Sequence, residues 1–195
     1  MENFDLIVES LIDLLRSQHP LPLSEGLVEH LRKIIGFRVV QKNDLLLMEG
    51  DVSRDIFFIV KGLLRCYYVK GSKEVTCWIL KEENVVVSVQ SFYDGSRSNE
   101  NIQALELTWV LYISFDQLED TYLRFPEFNY IGRVLTIKYL RFWNMQLYNL
   151  RYHDSRERYD ILINGDDRDL INRVPQKYIA SYLDMNPETL SRAKK

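Results

Sequence analysis

The side chains of this 195-residue chain that could do chemistry fall into two sets, and the first dissolves on inspection. His19 and His30 have no carboxylate or second histidine at ligand spacing, and His153 beside Asp154 reads as an exposed residue. No serine sits in a Gly-x-Ser-x-Gly elbow, and no Gly-rich phosphate loop precedes a helix. Cys66 and Cys77 are too few for a four-thiolate zinc or iron–sulfur site and read as reduced core residues. Carboxylates are plentiful but fall in turns and on helix faces. Neither catalysis nor a metal or cofactor is expected.

The second set survives. Near the carboxyl end, Glu188, Ser191, Arg192 and Lys195 recur at i, i+3, i+4 and i+7, one polar and cationic face of a helix whose other face carries Leu190 and Ala193. Carboxylate, hydroxyl and guanidinium groups on one helical face can hydrogen-bond base edges and phosphates. Two elements must position that face. Pro175 suits the first turn of a preceding helix, in which Ile179, Ala180 and Leu183 share a side. Asp184-Met185-Asn186 then forms a turn, with Asn186 capping the helix that begins at Pro187 and Glu188. This is the pattern by which a helix-turn-helix presents side chains to a DNA major groove.

Charge is distributed accordingly. The net charge is −3, which by itself argues against a nucleic-acid binder. From Asn172 onward, however, five basic side chains oppose Asp184 and Glu188, a local balance of +3, which leaves −6 on the first 171 residues. An acidic body with a basic tip is expected where only the tip meets phosphate. No stretch approaches the ~20 apolar residues of a membrane span. The acidic start Met1-Glu2-Asn3-Phe4-Asp5 does not read as a secretory signal, so a cytoplasmic protein is expected.

Upstream, Phe4 to Leu15 and Leu27 to Ile35 have helical periodicity, separated by His19-Pro20-Leu21-Pro22, with Ser24 as a cap. From Phe37 to Ser114 the texture changes to eight short apolar runs punctuated by turns such as Gly50-Asp51, Lys61-Gly62 and Asp94-Gly95. Such runs at roughly ten-residue spacing predict a jelly roll or barrel. Ser114 and Gln117 form a capping box, and Pro126 opens a long helix reaching about Tyr152. Along it Ile131, Lys138, Met145 and Tyr152, with Leu135, Phe142 and Asn149, form heptad series that predict a seam with a second copy, while another face serves the barrel.

Several of these stretches resemble one family. Gln176 to Leu183, a three-residue turn, then Pro187-Glu188-Thr189-Leu190-Ser191-Arg192 closely resembles the helix-turn-helix of Crp/Fnr-type bacterial transcription regulators. Glu49-Gly50-Asp51, Phe58 to Gly62 and Arg65-Cys66-Tyr67-Tyr68 resemble the cyclic-nucleotide-binding (cupin-like) domain of the same regulators, and Arg158-Tyr159 resembles the first helix of their DNA-binding domain. The resemblance implies an α+β chain: an N-terminal double-stranded β-helix (jelly-roll) barrel with N-terminal helices over 1–125, a dimerisation helix over 126–152 and a helix-turn-helix domain over 153–195. It implies a homodimer on a palindromic double-stranded DNA operator, with RNA polymerase as a further partner and no membrane.

Carried onto this chain, the family pattern has Glu188 accept from cytosine, Arg192 donate to guanine, and Thr189 and Ser191 hold the backbone. Lys177, Lys194 and Lys195 would add sequence-blind attraction. Asp184 stands where the family's turn commonly has Gly. The nucleotide pocket looks degenerate. Its Gly-Glu pair falls on about Val87 and Ser88 and its Arg-Ser pair on about Ser98 and Asn99, so all four anchors are absent, with Arg97 one residue out of register. Ser88, Arg97, Ser98 and Asn99 are therefore the candidate pocket residues for some other small ligand, and no cyclic nucleotide is expected. The alternative is a ligand-binding barrel protein whose short helix-turn-helix does not bind DNA on its own.

Overall fold

The computed structural model describes residues 2–194. Helices α1 (Glu2–Ser17) and α2 (Glu25–Ile34) precede eight strands: β1 (Gly36–Val40), β2 (Leu45–Leu47), β3 (Asp55–Lys61), β4 (Leu64–Lys70), β5 (Lys73–Leu80), β6 (Val85–Val86), β7 (Asn101–Ala104) and β8 (Thr108–Ser114). A short helix α3 (Val89–Asp94) lies between β6 and β7. Then follow α4 (Phe115–Arg124), α5 (Pro126–Tyr152), α6 (Ser155–Asn164), α7 (Leu170–Arg173), α8 (Gln176–Tyr182) and α9 (Pro187–Ala193).

The strands form two antiparallel sheets, in the orders β1-β8-β3-β6 and β2-β7-β4-β5. Alternation decides what each face buries. Phe57, Ile59, Leu64, Cys66, Trp78, Ile102 and Val110 point between the sheets. Phe58, Leu111 and Ile113 point the other way, beneath α1, α2, α4 and the start of α5. The first sheet is thus buried on both faces, which is why Ile56 to Val60 reads as a continuous apolar run rather than an alternating one. Ser24 caps α2 by accepting from the Leu27 N–H, and Ser114 and Gln117 make the expected capping box at α4.

The outer face of the second sheet is covered by the C-terminal helices. Leu63, Ile79 and Leu105 join Leu162, Leu170, Val174, Ile179 and Leu190 in a third apolar cluster. At its edge Arg65 is wholly buried. Its guanidinium carbon lies 3.9 Å from the Tyr67 ring centroid and 3.6 Å from that of Tyr178 on α8, and Nη2 donates to Glu74 and Gln103 at 2.8 and 2.7 Å. Arg173 donates to Glu82, Glu106 and Asp169, while Lys81 pairs with Asp167 and Asp169.

Helix α5 departs from the expected seam. Ile131 is buried, and Leu135 and Phe142 pack on the same molecule's cores. With Phe128, Tyr139 and Gln146 they make a stripe at 3–4-residue spacing facing the barrel and the C-terminal helices, because a 3.6-residue period sets these positions on one side. The large apolar residues left exposed include Ile137, Leu140, Trp143 and Leu147.

Gly62 has φ +104°, and a Cβ there would lie 2.5 Å from the Thr108 hydroxyl and 2.8 Å from the Leu107 carbonyl. Gly62→Ala is therefore expected to cost about 2–4 kcal/mol, read as a lower midpoint in urea unfolding. The charge cluster sets a second expectation. Burial alone would raise the Glu82 carboxyl, but hydrogen bonds from Arg173 and the Gly62 N–H outweigh it and hold the group below its ordinary range. Asp169 behaves likewise, with Lys81 and Arg173 overcoming burial. Depressed carboxylates favour the docked arrangement at neutral pH and lose that contribution as pH falls through their lowered values. The C-terminal helices should loosen from the barrel below about pH 4, and Arg173→Ala should loosen them at pH 7, both seen as faster limited proteolysis between α5 and α6.

Candidate nucleic-acid interface and ligand cavity

The two-helix motif forms as its residues dictate. Pro175 sits at the N-cap of α8, one position before the first turn. Ile179, Ala180 and Leu183 are buried. Asp184 adopts φ +52°, the left-handed conformation the turn requires. Beside it the Met185 N–H donates back to the Ala180 carbonyl at 2.9 Å, closing the end of α8. Asn186 Oδ1 accepts from the Thr189 N–H at 2.7 Å and Pro187 occupies the first turn of α9. These caps matter because a seven-residue helix has little stability of its own.

Leu190 and Ala193 turn inward, Glu188, Ser191 and Arg192 are exposed on the opposite side, and Lys194 is exposed at the C-cap. Thr189 is half-buried and its hydroxyl accepts from Arg192 Nη2 at 3.3 Å, which lays the guanidinium along the helix. Lys177 is exposed on α8, its ammonium 4.6 Å from the Tyr178 ring centroid. Lys195 lies outside the described residues. Glu188, Ser191, Arg192, Lys177 and Lys194 thus stand on the surface of one small unit. Arg173, counted in the basic tip, is instead occupied by three carboxylates of the charge cluster.

Three polar residues that position this unit escape a reading by pattern. Arg158 of α6 donates from Nε to the Leu183 carbonyl at 2.8 Å and from Nη2 to that of Asp184 at 3.2 Å, satisfying acceptors that the end of α8 leaves free. The Ser181 hydroxyl accepts from the Thr76 N–H of β5 at 2.9 Å. Arg65 stacks on Tyr178 from below. Arg158 belongs to the Arg-Tyr pair that marks the motif in sequence, so its presence was visible although its role was not.

In the barrel, a cavity of about 740 Å³ lies against α5, lined by inter-sheet residues such as Phe57, Cys66 and Trp78 and by Phe58 and Leu111 from the other face of the first sheet. The positions where a phosphate cassette would be sought hold no charge. Ser88 and Ser98 are buried and their hydroxyls meet at 3.1 Å, and Ser98 also accepts from the Glu100 N–H. Arg97 is exposed and donates to the Gly50 carbonyl at 2.8 Å, directed at the chain rather than into the cavity. Of the four candidate pocket residues only Asn99 lines the cavity. Beside it is Glu100, whose carboxyl burial raises against a hydrogen bond with Ser88. Burial also pushes Tyr68 and Cys77 up to about 12, so both stay protonated at physiological pH. Among the described residues no cluster of three or more His, Cys, Asp or Glu could hold a metal ion, and no helix is long and apolar enough to cross a membrane.

Residues 37–125 match the family of cyclic nucleotide-binding domains. No curated protein sequence matches the chain. Solved structures do. FixK2 from Bradyrhizobium japonicum is similar with TM-score 0.72 and 18% identity, covering 83% of each chain. A CooA mutant from Carboxydothermus hydrogenoformans has TM-score 0.65 and 19% identity over 93% of this chain and 82% of that one. The c-di-GMP-responsive global regulator CLP of Xanthomonas campestris has TM-score 0.67 and 13% identity over 87% and 89%. The chain therefore has the fold of the Crp/Fnr regulators, with a barrel of the cyclic nucleotide-binding type.

Proposed function

We propose that this protein is a sequence-specific DNA-binding transcription regulator of Crp/Fnr type whose barrel does not take a cyclic nucleotide. The observation that carries the reading is α9. Its apolar side is buried against the rest of the motif while Glu188, Ser191 and Arg192 face outward with Lys177 and Lys194 nearby. Glu188 accepts from cytosine N4, Arg192 donates to guanine, and Thr189 and Ser191 hold the phosphate backbone. Lys177, Lys194 and Lys195 supply the salt-dependent attraction.

The protein acts as a homodimer. Ile137, Leu140 and Leu147 leave apolar surface on α5 with 3- and 7-residue spacing, away from the barrel-facing stripe. A two-fold axis along this helix would repeat the α9 face at half-sites ~34 Å apart, the geometry of a palindromic operator. The missing cassette charges support the rest: with Arg97 turned outward and Ser98 paired to Ser88, no guanidinium is present to hold a phosphate.

Selection of bound sequences from random duplex DNA should return one palindrome, recovered equally with and without cyclic AMP. On that sequence, Arg192→Ala is expected to cost about 1–3 kcal/mol and to relax preference at a single base position per half-site, measured by gel shift against single-base variants. Equal loss for every sequence would remove Arg192 from base reading.

A further inference from the structure

We propose that the barrel cavity binds a small apolar molecule bearing one hydrogen-bond-donating head, which meets the Glu100 carboxyl. The proposal rests on the reading of this chain as a regulator whose barrel has lost its nucleotide, and it names what the site accepts instead.

Size comes first. About 740 Å³ falls within the range of small-molecule sites. Its wall is dominated by side chains such as Phe58, Trp78, Val87, Leu111, Leu135 and Phe142. Several of these are buried members of the cores, while Val89, Tyr93 and Trp143 at its mouth are exposed, so the cavity opens from the surface into the core.

Charge decides the ligand class. Among the described residues lining the cavity there is no Lys, Arg or His. Gln90, Asn99, Tyr68 and Thr136 are polar, and Glu100 is the one acidic group. A phosphate or carboxylate entering this space would find no cation to offset its desolvation and would face a carboxyl group. A hydroxyl or amine head has the reverse fit, because it can donate to Glu100 while its apolar body lies against the aromatic wall. Ser88 hydrogen-bonds the Glu100 carboxyl and meets Ser98, so the head shares that carboxyl with Ser88 and takes the acceptor capacity Ser88 leaves.

The occupant would touch both barrel and helix. Leu135, Tyr139 and Phe142 of α5 line the same space as Cys66 and Trp78 of the strands. Tyr139 already bridges the two, its hydroxyl accepting from the Val85 N–H at 2.6 Å.

The test uses the full chain, with four probes followed by calorimetry and by quenching of Trp78 and Trp143: 1-decanol, decylamine, decanoate and cyclic AMP, each below its aggregation limit. Decanol or decylamine should bind at least tenfold more tightly than decanoate, with cyclic AMP undetectable, and Glu100→Gln should collapse the amine-over-acid preference. Leu135→Trp, which fills the space from α5, should abolish binding of all chain-length probes, its folding checked by circular dichroism. Cyclic AMP binding, decanoate binding as well as decylamine, an unchanged preference in Glu100→Gln, or no binding by any probe would each overturn the proposal. DNA binding is measured in parallel without probes. DNA binding with no probe bound leaves the regulator reading standing and sinks this one; probe binding without DNA binding does the opposite.

Discussion

A buried guanidinium holds the two ends of this molecule together. Arg65 lies on the outer face of the second sheet, where nothing in the barrel itself could shield it. It is enclosed only because Tyr178 of α8 closes over it while Tyr67 lies beneath. A desolvated cation between two rings gains on the order of 2 kcal/mol from each, and Glu74 and Gln103 supply the charge and hydrogen bond that burial would otherwise make costly. Arg173 makes the reciprocal connection, reaching from α7 to Glu82 and Glu106 of the barrel. The C-terminal unit is therefore a third layer on the sheet. Moving it means exposing Arg65 and separating Arg173 from its carboxylates, so its placement is a discrete choice rather than a loose tether.

The strands and most helix boundaries were legible because each rests on local chemistry. All eight apolar runs became strands, divided by turns where Gly50 and Gly62 take positive φ. Caps such as Ser24, Ser114 and Asn186 are decided within three residues, so sequence suffices for them. Helix α3 was missed because Val89 to Asp94 carries no stripe long enough to show a period. For a different reason, part of the expected seam on α5 is taken by the barrel, through Ile131, Leu135 and Phe142, while Met145 and Tyr152 stay exposed. Over four heptads a repeat of 7 and one of 3.6 residues drift apart slowly, so a barrel-facing stripe imitates a coiled-coil seam. Only the barrel's position tells which apolar face is already taken.

Polar groups were the least legible part of the candidate sites. Within a strand, Arg65 looks like the outward member of an alternating pair, and no pattern in the sequence says that another unit will cover it. Arg173 looked like part of a basic tip, and its three acidic partners are 4, 67 and 91 residues away. Arg192 and Glu188 were easier, because a helix with one apolar side leaves no choice about where the other side points. In the cassette, the sequence revealed which charges were missing. It could not reveal that Ser88 and Ser98 would turn to each other and leave the cavity without a cation.

Helix α5 is what joins the cavity to the C-terminal helical unit. Its Tyr139 takes the β6 hydrogen bond at the cavity wall, Phe142 and Trp143 lie 5.2 and 4.2 Å from Trp78, and Gln146 donates to the Tyr182 hydroxyl on α8. Seven residues separate Tyr139 from Gln146, about 10 Å along an α-helix, and a hydrogen-bonded helix over that span moves as a rod. The contacts of α5 with the cavity wall and with α8 thus lie on one rigid segment. The same segment carries Ile137, Leu140 and Leu147 outward, the surface on which the proposed dimer rests. On the proposed dimer, one helix would thus link the cavity to the spacing between two α9 faces, the quantity a palindromic site would read.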